Sequence, residues 1–407
     1  MSVKERLLRY VRVDTQSDPE SETHPSTEKQ FDLANLLVKE LKEIGLTDAA
    51  VDQNCYIYAH LPANTEEKLP RIGFIAHMDT SPDFSGKDVS PRIIENYDGG
   101  DIRLNEDRTT LVADFPWMKE LAGKTLMVTD GTILLGADDK AGIACIMDAL
   151  EYYYNHPEEK HGEISVSFTP DEEIGRGTDC FDTEKFGADF AYTMDGDSVS
   201  FYSDETFNAD SAVVSVRGFA IHPGNSKNRM KNAALIAAQY ASRLPEALTP
   251  AHTEGREGFI HLQEIRGSVE EAELSYILRD FSREALAKYH TLMERLCDYM
   301  NAEYGEDCIR VTFRESYRNM AEVLSGQPEP TLLAVKALKK LGYLPEKLPI
   351  RGGTDGAALS FRGLPCPNLG TGGNNFHGPY EYCVMEELED AAVLIRTILA
   401  CALEDYL

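Results

Sequence analysis

An α/β fold carrying a second, inserted domain is predicted by three observations. Short apolar runs alternate with amphipathic helical stripes in the first half of the chain, the element order changes near Ser203, and helical patterning resumes towards the C-terminus. Residues 28–46 place Leu33, Leu37, Leu41 and Ile44 at helical spacing, with Gly45 positioned to cap the end. The runs at 71–76, 164–168 and 190–193 read as strands, and Ile143, Ile146, Leu150 and Tyr153 form a helical stripe between the first two. Strands separated in this way by helices predict an α/β sheet with helices on both faces.

Beyond Ser203 the reading is strand 211–217, helix 231–243, strands 258–265 and 274–281, helix 283–304 and strand 309–313. This β-α-β-β-α-β order predicts a ferredoxin-like layer. The second helix is the clearest element, with Leu286, Tyr289, Met293, Leu296 and Met300 stepping by three and four and Gly305 beyond its end. Residues 206–317 are therefore expected to form a domain inserted into a main domain of 1–205 and 318–407. Segments 332–342 and 390–406 read as helices of that main domain. The stretch 79–111, rich in Asp, Gly, Pro and Ser, reads as a long loop, either functional or mobile.

Length and composition set limits on function. The 407 residues, 42% of them hydrophobic, suffice for two cored domains. The excess of 69 acidic over 40 basic residues, a formal charge of −29, argues against a nucleic-acid or anionic-membrane partner. Residues 1–17 interrupt their apolar positions with Lys4, Glu5, Arg6, Arg9, Arg12 and Asp14, unlike a signal peptide. No later segment approaches the run of about 18 apolar residues that a membrane helix needs. The eight cysteines lack the paired close spacing of a zinc finger or a secreted disulfide scaffold, so reduced thiols in a cytoplasmic protein are expected.

Chemistry gathers where predicted strands end, the usual place for active sites in α/β sheets. The run 72–76 delivers His77-Met78-Asp79; alternate residues of an extended segment point the same way, so Asp79 can stand behind a metal-binding His77 and fix its ring. Gly136-Ala137-Asp138-Asp139-Lys140-Ala141-Gly142 opens a helix. Paired aspartates there ordinarily cap it, but a carboxylate can also bridge two cations roughly 3.5–4 Å apart. Thr169-Pro170-Asp171-Glu172-Glu173 follows the next strand; adjacent glutamates divide labour naturally, one binding metal and the other moving protons. Met194-Asp195-Gly196-Asp197, an Asp-Gly turn by itself, adds a carboxylate, and Thr371-Gly372-Gly373-Asn374-Asn375-Phe376-His377-Gly378 adds a histidine. Two histidines and three carboxylates give each of two metal ions one His, one terminal carboxylate and a shared Asp. Zn2+ suits this set, and Mn2+ or Co2+ suit its oxygen-rich character as well.

The segments HMDTS, GADDKAG, TPDEEIG, MDGD and TGGNNFHG resemble, in order and spacing, the two-zinc amidohydrolase family that includes succinyl-diaminopimelate desuccinylase and acetylornithine deacetylase. The longer matches PDFSGKDVSPRIIENYDGGDI, RGFAIHPG, EGFIHL, RDFSRE and RGGTDGA, spread over nearly the whole chain, resemble its tripeptide-aminopeptidase branch. The resemblance implies a two-zinc exopeptidase-type catalytic domain, built on a mixed sheet with helices on both faces, with the inserted domain as a lid. It implies one Zn2+ held by His77, Asp138 and Asp195 and a second by Asp138, Glu173 and His377. Asp79 would orient His77, Glu172 would be the general base and acid, and the bond between Asp138 and Asp139 would be cis. His222 would donate to the oxyanion. The segment Gly378-Pro379-Tyr380-Glu381-Tyr382 departs from the more polar or basic pattern of relatives.

An exopeptidase must also recognise a chain end. Arg279 and Arg351 are candidate clamps for a substrate carboxylate, Asn232 offers an amide, and Asp355 can hold a free amino terminus; a structural ion pair is an equal expectation for each arginine. The first reading is a tripeptide aminopeptidase acting on small peptides. A dipeptidase or N-acyl amino-acid deacylase on the same scaffold is the rival, and a non-catalytic metal-dependent binding protein the alternative from another class. A calcium module lacks its spaced EF-hand pattern. A homodimer is left open: relatives often pair through the inserted domain, but the sequence identifies no exposed apolar patch.

Overall fold

Strand Ile72–His77, buried along its length, shows why the central sheet has two dry faces. Phe74 and Ala76 pack into one apolar cluster and Ile75 into another, because successive side chains of a strand point to opposite sides. Tyr192 and Ala191 of Phe190–Thr193 divide in the same way, as do Ile57 and Tyr58 of Ile57–Leu61. Helices Val3–Tyr10, Gln30–Glu43, Ala137–Asn155, Glu329–Lys340 and Met385–Tyr406 complete the first cluster. Thr183–Phe186 and Asp355–Phe361 complete the second.

The computed structural model describes residues 1–406. The sheet runs in the order Ala50–Val51, Ile57–Leu61, Ile164–Thr169, Ile72–His77, Phe190–Thr193, Asn368–Leu369, Phe201–Ser203, Glu346–Lys347. It is mixed. Ile72–His77 is parallel to both its neighbours, whereas antiparallel pairs join Ile57–Leu61 to Ile164–Thr169 and Phe201–Ser203 to Asn368–Leu369. The parallel register sets His77 opposite Thr169 and Ile75 opposite Thr193. These three strands therefore end at one edge of the sheet, where His77 closes the first and Glu173 and Asp195 follow the other two.

The stretch expected as a long loop is folded. It contains Arg92–Ile94, Ile102–Arg103 and Thr109–Thr110, and the first of these joins Leu126–Val128, Tyr382–Val384 and Gly373–Asn374 in a second sheet. Tyr97, Ile102, Leu104, Met118 and Tyr382 form its core. Strands of two or three residues are too short to show a period, which is why composition suggested a loop.

These elements belong to a unit made of Met1–Asp204, Glu322–Leu348 and Thr354–Leu407; the other unit is Glu205–Ala321 with Pro349–Gly353. The second unit is an antiparallel sheet in the order Phe259–Gly267, Glu271–Asp280, Asn208–Arg217, Ile309–Tyr317, with helices Ala233–Arg243 and Arg283–Tyr304. Val214, Tyr240, Leu274 and Met293 lie in its core. This is the ferredoxin-like βαββαβ order. Its limits differ from the expected 206–317 chiefly by the return of 349–353, where the Ile350 N–H donates to the Glu205 carbonyl (2.9 Å). All eight cysteines are free thiols, and only Cys180 is exposed.

Candidate active site

Helix Ala137–Asn155 reaches the sheet edge because Gly142 has no side chain: a Cβ there would lie 2.1 Å from the Met194 carbonyl oxygen. That close approach sets the turn bearing Asp138 beside the segment bearing Asp195. Gly136, at φ +77°, makes the left-handed turn before the helix, and the Asp138–Asp139 bond is cis, as the resemblance implies.

His77 ends its strand with the ring buried. Its Nε2 lies 2.9 Å from Asp138 Oδ1, while His377 Nε2 lies 3.3 Å from Asp138 Oδ2 and 2.9 Å from Glu173 Oε2. The two oxygens of Asp138 thus face different histidines, the arrangement a bridging carboxylate requires. Two groups of donor atoms lie mutually within 4.8 Å: His77 with Asp138 and Glu173, and His77 with Glu172 and Asp195. Of the residues singled out in the sequence, His77, Asp138, Glu172, Glu173, Asp195 and His377 are thereby brought into one cluster. Glu172, expected only as a proton carrier, also stands at ligand distance.

Asp79 does more than the sequence suggested. The Nδ1 of His77 is 3.1 Å from the Asp79 carbonyl oxygen and 3.4 Å from its carboxylate. The carboxylate accepts the backbone N–H groups of Glu172 (3.0 Å) and Glu173 (3.2 Å). It ties the end of one strand to the turn after the next. Asp171, which the sequence reading passed over, braces that turn from the other side: its buried carboxylate accepts from the Ser26 N–H (2.7 Å) and hydroxyl (2.5 Å) and the Gln30 amide (2.7 Å). Its partners sit far away in sequence, so no local motif marks it.

The electrostatics fit a cation site. Burial and the neighbouring Asp138 carboxylate push Glu173 up to about 8 and Asp195 up to about 7. Burial also raises Glu172 and Asp139 well above the carboxylate range. Asp138 stays low despite burial because His377 and His77 hydrogen-bond to it. Hydrogen bonds that His377 donates to the Asp138 and Glu173 carboxylates raise it to about 11. Glu173 Oε1 is buried with no hydrogen-bond partner. A buried oxygen without a donor, among crowded carboxylates and two imidazoles, is the environment that divalent cations neutralise.

These shifts carry a sign. A carboxyl raised in the fold holds a proton that the unfolded chain has released, and the raised histidines act in the same sense. Metal-free protein is therefore expected to lose stability as the pH rises from about 4, where unfolded carboxyls titrate, to about 8, where Glu173 does. Thermal unfolding of chelator-treated protein across that window measures the slope. Because metals displace these protons, Zn2+ should raise the melting temperature more at pH 8 than at pH 5.

The remaining expected residues are placed as follows. Asp355 starts helix Asp355–Phe361, is buried, accepts from the Thr169 hydroxyl (2.8 Å) and is raised to about 7, chiefly by burial. In the second unit, His222 is exposed and its Nδ1 accepts the Gly224 N–H (3.2 Å), and the Asn232 side-chain oxygen caps Ala233–Arg243 through Leu235 N–H. Arg279 donates to the carbonyls of Leu278 and Asp210 and lies over the Tyr317 ring. Arg351, the other candidate clamp, is held by residues of its own unit. Its Nη1 donates to the carbonyls of Gly255 and Glu257, its Nη2 to Thr253, and its plane faces Phe207 and Phe259. These bonds fix the guanidinium through Nη1 and Nη2.

Residues 124–400 match the model of peptidase family M20/M25/M40. A peptidase T of Alkaliphilus oremlandii is 52% identical over 399 residues, which cover 97% of this chain and 98% of that protein. In fold the chain is similar to the aminopeptidase PepT of Bacillus cereus (TM-score 0.76, 21% identity, 98% of both chains). It is also similar to a dinuclear metal binding peptidase of Bacillus subtilis (TM-score 0.62, 17% identity, 99% of this chain and 98% of that one). With its family motifs gathered at one sheet edge and half its residues shared with a peptidase T along nearly the whole length, the chain belongs to peptidase family M20/M25/M40 and is an enzyme of its peptidase T group.

Proposed function

We propose that this enzyme is a metal-dependent aminopeptidase that releases the N-terminal residue of tripeptides, with two Zn2+ as its native cofactors. The observation that carries the reading is Asp138, whose two oxygens face His77 and His377 in a cluster closed by Glu173 and Asp195. The identity to peptidase T supports the substrate class. His77, Asp138 and Asp195 would hold one ion and Asp138, Glu173 and His377 the other. Bound there, the ions would polarise a peptide carbonyl and acidify a water.

Glu172 takes the proton of the attacking water and returns it to the leaving amine. Its raised pKa, caused by burial, suits that exchange. Asp79 keeps Glu172 in reach by holding its backbone N–H. Asp355, buried in the same unit, is proposed to hold the substrate's amino terminus. On the second unit His222, Asn232 and Arg279 are proposed as substrate contacts. No helix among the described residues is long and apolar enough to cross a membrane, and a cytoplasmic location is proposed.

The test is release of the N-terminal residue from di-, tri- and tetrapeptides, with a second set blocked at the amino end. Tripeptide-selective cleavage that requires a free amine is the expected result. Cleavage of acylated substrates alone would assign the site to a deacylase.

A further inference from the structure

Glu381 takes no part in the chemistry described so far, yet it is a carboxylate only 1% exposed. Its Oε2 accepts the backbone N–H groups of Leu135 (2.7 Å) and Gly136 (2.9 Å), and its Oε1 accepts that of Asp138 (3.1 Å). These are the amides of the turn that presents Asp138. Glu381 itself stands four residues beyond His377. One side chain therefore spans the two loops whose ligands must meet.

The loop on the Glu381 side is itself anchored. Strand Tyr382–Val384 pairs with Leu126–Val128, the Thr129 hydroxyl donates to the Pro379 carbonyl (2.8 Å), and the Asn375 amide donates to the Tyr380 carbonyl (3.3 Å). The turn 135–138, by contrast, has three successive-region amides that point at a single acceptor. A buried amide without a partner is costly, so the turn keeps its shape only while that acceptor is present.

We propose that Glu381 is a positioning residue of the metal centre, clamping the Asp138 turn against the loop that bears His377. The proposal rests on the reading of Asp138 and His377 as ligands. The chemistry asks for a carboxylate: its two oxygens accept all three N–H groups and it donates nothing. A glutamine would turn its NH2 towards either the Asp138 amide or the Leu135 and Gly136 amides, donor against donor. An aspartate keeps the charge but withdraws it by one methylene.

The experiment titrates chelator-treated full-length protein with Zn2+ alone, in competition with a chromophoric chelator, for wild type, Glu381→Gln, Glu381→Asp and Glu386→Gln. Glu386 serves as control because its carboxylate also accepts a backbone N–H, that of the half-buried Thr125 (3.0 Å), just before strand Leu126–Val128. Melting of each metal-free protein is recorded alongside. Zn2+ affinity is expected to fall on the order of 10- to 100-fold in Glu381→Gln, the range for outer groups that orient ligands. A smaller fall is expected in Glu381→Asp and none in Glu386→Gln. Glu381→Asp retains every acceptor and carries the test alone if the glutamine variant does not fold. Glu381 variants that melt lower but bind Zn2+ as tightly as wild type would reduce Glu381 to a structural brace and overturn the proposal. A wild type that takes up no Zn2+ would instead remove the metal reading on which the proposal stands.

Discussion

Glu172→Ala is expected to lower kcat on the order of 10²- to 10⁴-fold, the usual worth of a positioned acid or base, while the protein keeps its full metal content. The second clause matters because the structure offers Glu172 another role: its donor atom groups with those of His77 and Asp195 within 4.8 Å. A proton carrier and a ligand differ in what their loss does to the metal. If Glu172→Ala binds Zn2+ as wild type does, the side chain moves protons; if one ion is lost, it is a ligand and the base lies elsewhere. Glu172→Gln sharpens the comparison. It keeps the shape and removes the titration, so its activity should be as low as that of the alanine variant. Throughout, Asp79 should hold the turn in place, since it bonds the backbone N–H of residue 172 and not its side chain.

Asp138→Ala is the second large effect. A bridging carboxylate serves both ions, so its removal should lower the affinity of both and bring activity down to that of chelator-treated wild type. Glu173→Ala should weaken only the ion shared with His377, leaving one ion per chain. Metal analysis after gel filtration separates the two outcomes. Equal losses in both variants would mean that the carboxylates act as one undivided acidic cluster. The electrostatic situation favours the bridging account, because Asp138 alone among these buried acids is held in its charged form by two imidazoles.

Much of this site was legible in the sequence because ligands in an α/β sheet stand where strands stop. His77, Glu173 and Asp195 each follow a short apolar run, and those runs became the adjacent parallel strands Ile72–His77, Ile164–Thr169 and Phe190–Thr193. Helix Arg283–Tyr304 was equally plain, since 22 residues give several turns of periodic signal. The strands between Arg92 and Thr110 were hidden because two or three residues carry no period. Residues that act on backbone amides were hidden for another reason. Glu381 between two tyrosines looks like a stray surface acid, and Asp171 like part of an acidic helix start. Their partners are N–H groups, which every residue has and no sequence displays. A lone acid in an otherwise aromatic stretch was the available signal for Glu381. The backbone carbonyls that receive the Arg351 guanidinium, those of Thr253, Gly255 and Glu257, were hidden in the same way.

The most direct measurement is anomalous scattering at the zinc edge from crystals of the Zn2+-loaded enzyme. Two peaks roughly 3.5–4 Å apart, joined by Asp138, with His77 and Asp195 on one and Glu173 and His377 on the other, are the predicted result. A single peak, or peaks that leave Asp138 unshared, would contradict the two-metal centre and the mechanism built on it.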